Sequence, residues 1–290
     1  MIKMLRSSGL VIGLAVGAMA PAALAASDGP QIERQKWSFS GPFGQFDQVQ
    51  LLRGFAVYKE VCSSCHTLNR VAFRNLAQPG GPQFDAEGVK ALAAKDYKVD
   101  DEPNDEGKVK PRAAKLSDNF PPLYKNAQEA RSIHNGALPP DLSLMARARG
   151  FEASHANWVT HSFAMLKDVA VGYQEGGADY MYALLNGYGP APAKIDGKDF
   201  KLAEGMHYNK AFPGYQIAMA PPPLPVKYGA NAGAPSTVDQ NARDLAAFLT
   251  WTAEPTMDQR KRVGWQVMLF LLITSVLLYI GKKRLWAKLH

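Results

Sequence analysis

The chain has 290 residues, 47% of them hydrophobic and 20% charged, with 25 Gly and 20 Pro; this excludes a disordered tail, a coiled coil and a polytopic membrane protein. Its formal charge of +7 would ordinarily suggest a nucleic-acid surface, but the cations cluster at the ends: Lys3 and Arg6, then Arg260, Lys261 and Arg262, then Lys282, Lys283, Arg284 and Lys288. Without those nine the remainder carries −2, so no nucleic-acid partner is expected.

Residues 1–25 begin with a basic stretch, continue through the apolar run Gly9 to Ala20 and end in small residues, with an A-x-A site at Ala23-Leu24-Ala25. That order predicts a secretory signal peptide, cleaved after Ala25 or Ala26, and an exported domain over 26–259. An uncleaved N-terminal anchor is the alternative. Asp47 followed by Gln50 resembles a helix capping box, and Val49, Leu52, Ala56 and Val61 supply an apolar side for the helix it opens.

At the end of that helix stands Cys62-Ser63-Ser64-Cys65-His66, which contains both cysteines of the chain. The C-x-x-C-H spacing is that of c-type haem attachment: two thiols add to the haem vinyl groups and the adjacent His offers a neutral imidazole to iron. A zinc site would need two further ligands, and a redox C-x-x-C would need a βαβ pattern that residues 46–76 lack. One covalent haem c is therefore expected. Residues 96–112 carry Asp100, Asp101, Glu102, Asp105 and Glu106 among Lys, Pro and Gly. They read as a mobile solvated loop, or more sharply as an acidic docking patch for a basic partner cytochrome.

An electron carrier needs a second axial ligand, and Met opposite His raises the potential while closing the iron to substrate. The candidates beyond the signal are Met145, Met165, Met181, Met206, Met219, Met257 and Met268. Met145, Met165 and Met181 lie in helix-like segments where methionine serves packing. Met206 adjoins His207, and either could compete. Met219 precedes Ala220-Pro221-Pro222-Pro223-Leu224, whose prolines would hold a loop extended; the same prolines also suit a plain surface spacer.

Ser236-Thr237-Val238-Asp239 is a second capping pattern, and Val238, Ala242, Leu245, Phe248 and Leu249 form the stripe of a helix that Glu254-Pro255 stops. Gly54 and Tyr58 would let this helix cross the first one closely, as in a mono-haem cytochrome core. Val263 to Ile280 is 18 residues without Asp, Glu, Lys or Arg, close to the roughly 20 that cross a bilayer. Trp265, Tyr279 and Trp286 suit the interfaces. Residues 260–290 thus read as a membrane anchor with a short cytoplasmic tail, the signal peptide setting the orientation.

The ordered set Trp37-Ser38-Phe39-Ser40-Gly41-Pro42-Phe43-Gly44, Arg53-Gly54-Phe55-Ala56-Val57-Tyr58, Cys62 to His66, Asn135-Gly136-Ala137-Leu138-Pro139-Pro140-Asp141-Leu142-Ser143, Asp179-Tyr180, Tyr208-Asn209, the Met219 loop, Ala253-Glu254-Pro255 and the flanked span resembles the bacterial cytochrome c1 family over residues 37–288. The resemblance implies a mainly α, cytochrome c-like mono-haem domain with long loops plus one C-terminal transmembrane helix. It implies Met219 as sixth ligand, Arg149 facing a haem propionate (with Arg147 its rival), and Asn135 and Tyr180 near the haem edge. It also implies a haem subunit of a dimeric quinol:cytochrome c oxidoreductase in the bacterial inner membrane, haem domain on the periplasmic side. Its partners would be cytochrome b, a Rieske iron–sulfur protein as donor and a c-type cytochrome as acceptor. No independent catalysis is expected of the chain. A free-standing membrane-anchored cytochrome shuttle is the second reading; a haem enzyme or gas sensor, the third, would need an open iron position. Gly150 to Gln174 is longer than the usual link in such chains, and no extra cysteine pair is present to brace the loops.

Overall fold

In the computed structural model, which describes residues 30, 32–149, 162, 176–195, 197–229 and 233–287, the first helix is α1, Gln48–Glu60. The Asp47 carboxylate accepts from the Gln50 amide at 2.9 Å, satisfying one of the amides that a helix N-terminus leaves without an intrahelical acceptor. The expected signal peptide and, apart from Ser162, residues 150–174 lie outside the described residues.

The buried residues of α1 are Leu51, Gly54, Phe55, Val57 and Tyr58, not the expected Val49, Leu52, Ala56 and Val61. Val49 is 47% exposed, Leu52 and Ala56 are half-buried, and Val61 is the C-cap. Apolar side chains surround most of α1, so periodicity alone left the inward face open. Gly54 decides it. This residue meets the backbone of helix α6, Val238–Ala253, so closely that a Cβ there would overlap the Asp244 carbonyl and stand 2.5 Å from Phe248 Cβ. Phe55 and Tyr58 flank the crossing, their rings 5.7 and 6.0 Å from that of Phe248.

Helix α6 is capped by the Thr237 hydroxyl, which accepts from the Gln240 amide, and buries Ala242, Leu245, Phe248 and Leu249 as expected. Val238, on its first turn, is exposed instead. Asp244 is buried beside Arg53, whose guanidinium donates twice at 2.7 and 3.0 Å; Tyr228 and Gln240 each donate to it at 2.8 Å. Full hydrogen bonding is what makes a charge tolerable at that depth.

Between the two crossing helices come α2, Ala86–Asp96; α3, Ala127–Ile133; α4, Met145–Ala148; and α5, Gly177–Leu185. The strands are short and pair antiparallel in twos: β1, Lys98–Asp100, with β2, Pro111–Ala113; β3, Lys194–Ile195, with β4, Lys198–Asp199; β5, His207–Tyr208, with β6, Gln216–Ile217. The acidic stretch expected as a loose loop is therefore partly a hairpin. Residues 101–110 project fully exposed from β1 and β2, and Arg112 ties the base to Asp101 and Asp118. The N-terminal segment is anchored by Asp179, which accepts from Trp37 Nε1 at 2.8 Å and the Gln35 amide at 2.9 Å. The Arg243 guanidinium lies over the rings of Trp37 and Tyr182.

Helix α7, Met257–Trp286, follows α6 after three residues and is long and apolar enough to cross a membrane; its apolar stretch is unburied. Its first turns are fastened to the domain. Lys261 Nζ donates to the carbonyls of Phe39 and Gly44, and Asp258 accepts from the Phe46 amide.

Candidate haem-binding site

The last turn of α1 tightens into a 3₁₀ turn, Cys62–Ser64, closed by bonds from the Cys65 and His66 amides to the Cys62 carbonyl. Both cysteines are free thiols and half-buried, and burial pushes the Cys62 thiol up to about 12. The next residues are stitched to a distant segment: Leu142 donates its amide to Thr67, Asn69 to the Asp141 carboxylate and Arg70 to the Ser143 hydroxyl. That stitching places the Pro140 carbonyl 2.8 Å from His66 Nδ1.

A carbonyl oxygen can only accept, so Nδ1 carries the proton and Nε2 keeps its lone pair. Fixing one ring nitrogen in this way orients the other as a metal ligand. Burial lowers the pKa of His66, which favours the neutral imidazole that a metal needs. Tyr58, from α1, donates to the His66 carbonyl at 3.2 Å and holds the backbone of the same residue. Among the described residues no group of three or more His, Cys, Asp or Glu could hold a metal ion. Two free thiols and an imidazole presenting Nε2 fit a covalently held haem.

Met219 lies two residues beyond β6, half-buried against the core. The β5–β6 pair enters this loop, and buried Asn209 fixes β5 to α5 by donating to the Leu184 carbonyl at 2.8 Å while accepting from the Ala211 amide. Pro221, Pro222 and Pro223 follow, and Val226 is buried as the chain approaches α6. The Tyr188 hydroxyl donates to the Met219 carbonyl itself at 3.1 Å. No sequence pattern singles out Tyr188, because its role comes from the return of a loop 31 residues later. Tyr188→Phe is expected to cost about 1 kcal/mol, the usual net worth of one such bond, read as a lower denaturation midpoint with faster amide exchange at Met219 and Ala220. Unchanged exchange there would count against the positioning role.

Of the other expected residues, Tyr180 is buried on α5; burial raises its pKa, and the nearby Arg149 charge opposes this. Burial raises the pKa of Tyr188 as well, with Tyr180 a smaller contributor. Of these residues, Met219 and Tyr188 are joined directly, through the hydrogen bond from the Tyr188 hydroxyl. Arg149 and Arg147 are both exposed at the end of α4. Asn135 is exposed at the turn after α3, where it and Gly136 take the left-handed conformation at φ 51° and 87°. In sequence it stands five residues before Pro140, whose carbonyl meets the His66 ring. His134, unassigned by sequence reasoning, precedes it, its ring bonded to the Tyr124 hydroxyl at 2.6 Å. Of the rival methionines, Met145, Met181 and Met257 are buried, Met206 is half-buried, Met268 is exposed on α7, and Met165 lies outside the described residues.

Residues 37–289 match the model of the Cytochrome C1 family. The chain is 45% identical to cytochrome c1 of Blastochloris viridis over 287 residues, covering 98% of this chain and 96% of that one. It is 38% identical to the mitochondrial cytochrome c1 heme protein of Saccharomyces cerevisiae, over 92% and 76% of the two chains. Identity to cytochrome b/c1 of Bradyrhizobium diazoefficiens is 44% over 88% of this chain, which spans 35% of that longer protein. With its mainly helical fold, its C-x-x-C-H turn and a match running from Trp37 into the end of the apolar helix, the chain belongs to the cytochrome c1 family.

Proposed function

We propose that this chain is the haem-bearing electron-transfer subunit of a cytochrome bc1 complex, a quinol:cytochrome c oxidoreductase, in a bacterial cytoplasmic membrane. It accepts electrons from a Rieske iron–sulfur protein and passes them to a c-type cytochrome, while cytochrome b carries out the quinol chemistry in a dimeric assembly. The observation that carries the reading is the His66 ring held by the Pro140 carbonyl beside two free thiols. Family membership and the cytochrome b/c1 relative support the assembly.

In this reading Cys62 and Cys65 would hold the haem through thioether links, His66 Nε2 and the Met219 thioether would bind its iron, and Arg149 would pair with a propionate. Tyr180 and Asn135 line the edge. The bound haem supplies a one-electron couple. The chain's own residues would position that couple: Pro140 sets the imidazole, Tyr188 sets the Met219 backbone, and two protein ligands on the iron would leave no place for a substrate. The exposed acidic hairpin over 101–106 favours a basic acceptor by long-range attraction that salt screens. The α7 helix anchors the domain on the periplasmic face, with the signal peptide removed.

The test is a reduced-minus-oxidised spectrum of membranes, with and without a quinol-site inhibitor, joined to purification in mild detergent. A c-type band whose reduction by quinol the inhibitor blocks, with cytochrome b co-purifying, is the expected outcome. A partner-free haem protein whose deletion leaves quinol oxidation intact would establish the free-standing shuttle instead.

A further inference from the structure

Where the domain meets α7, the turn Pro42–Gln45 stands off the helix and leaves a cleft of about 300 Å³ whose other wall includes Lys261, Arg262 and Trp265. Two charges in that wall are already committed to the fold, since Lys261 donates to the Phe39 and Gly44 carbonyls and Asp258 accepts from the Phe46 amide. Arg262 is exposed and has no ion pair among the described residues. At the tip of the turn, Phe43 is 70% exposed, its ring edge-on to Trp265 at 5.5 Å. Leaving a phenyl ring in water forgoes about 2 kcal/mol of burial, so its position calls for an apolar neighbour. Trp265 is the third residue of the apolar run that begins at Val263, at the depth where a spanning helix passes from headgroups into hydrocarbon. Phe43, packed on it, shares that depth.

We propose that this cleft seats the headgroup of an anionic phosphoglyceride from the leaflet facing the haem domain. The phosphate meets Arg262, the only uncommitted cation in the cleft among the described residues, in a charge-assisted hydrogen bond. The glycerol esters lie against Phe43 and Trp265, and the acyl chains continue along the exposed apolar side of α7. A zwitterionic lipid would bring its own cation toward Arg262 and is disfavoured. The inference rests on α7 being the membrane anchor and not on the identity of the redox partners.

The experiment titrates phosphatidylglycerol and phosphatidylcholine separately into the full-length chain in mild detergent, following retained lipid by native mass spectrometry. The parent should retain one phosphatidylglycerol in preference to phosphatidylcholine. Arg262→Gln and, separately, Phe43→Ser should weaken that binding about tenfold, the scale of one charge-assisted contact. Both side chains are exposed, so each variant should keep the parent melting temperature. A Lys282→Gln, Lys283→Gln, Arg284→Gln variant, altered at the other end of α7, should keep the preferred lipid. Equal retention of the two lipids, or unchanged binding in both cleft variants, overturns the proposal. So does photo-crosslinking from position 43 in native membranes that captures another protein subunit and no lipid.

Discussion

With Met219 as the proposed iron ligand, Met219→Leu is expected to leave the domain folded and the haem covalently attached, while the iron loses its strong-field axial partner. Leucine keeps most of the volume and apolarity of a half-buried side chain, and Cys62 and Cys65 are untouched. The sulfur alone is removed, so the methionine-to-iron charge-transfer band should vanish, the reduction potential should fall, and the reduced protein should bind carbon monoxide where the native one does not. The backbone around position 219 stays in place because Tyr188 bonds to its carbonyl rather than to its side chain. Met206→Leu and Met145→Leu serve as controls and should leave the axial spectrum unchanged. If Met206→Leu abolishes the band and Met219→Leu preserves it, the ligand comes from the segment before the proline loop.

The second large effect falls on the scaffold. At the crossing of α1 and α6 even a methyl group at position 54 would overlap the Asp244 carbonyl and crowd Phe248 Cβ. Backbone cannot step aside as a side-chain tip can, so the helices must separate, and Gly54→Ala should cost about 3 kcal/mol, at the upper end for overpacking. In a domain of this size that corresponds to a melting temperature lower by roughly 6–12 °C. Separation would also strain the Arg53–Asp244 pair, which spans the same crossing. A variant melting with the parent would show that the two helices are not in contact there.

Much of the architecture could be read from residue order. Asp47 caps the first crossing helix as read, and the second starts within the capping pattern over 236–239, at Thr237, since a cap depends on local backbone groups alone. Gly54 was legible as a contact point, yet the stripe read beside it was turned by one or two positions. In a helix apolar on several sides, the inward face is chosen by the partner's backbone rather than by periodicity. The haem turn was legible because its chemistry is confined to five consecutive residues. Pro140 and Tyr188 were not legible in their actual roles, because each acts through a bond to a residue 74 or 31 positions away. The acidic stretch was read in part: its composition spoke for a solvated loop, and 101–110 are one, while three residues on either side pair as strands.

The junction of α6 and α7 has a mechanical consequence. Three residues separate a helix at the centre of the domain from one long enough to span a membrane, and Glu254, which caps the first, pairs with Arg260 on the second. Lys261 and Asp258 then clamp the opening turns of α7 to the 39–46 segment from another side. A mount of this kind has no swivel. With α7 in a membrane as proposed, the haem domain would stand at a set height and tilt above the lipid, as a fixed relay post, and the distances over which electrons arrive and leave would be closed by the travel of whatever comes to meet it.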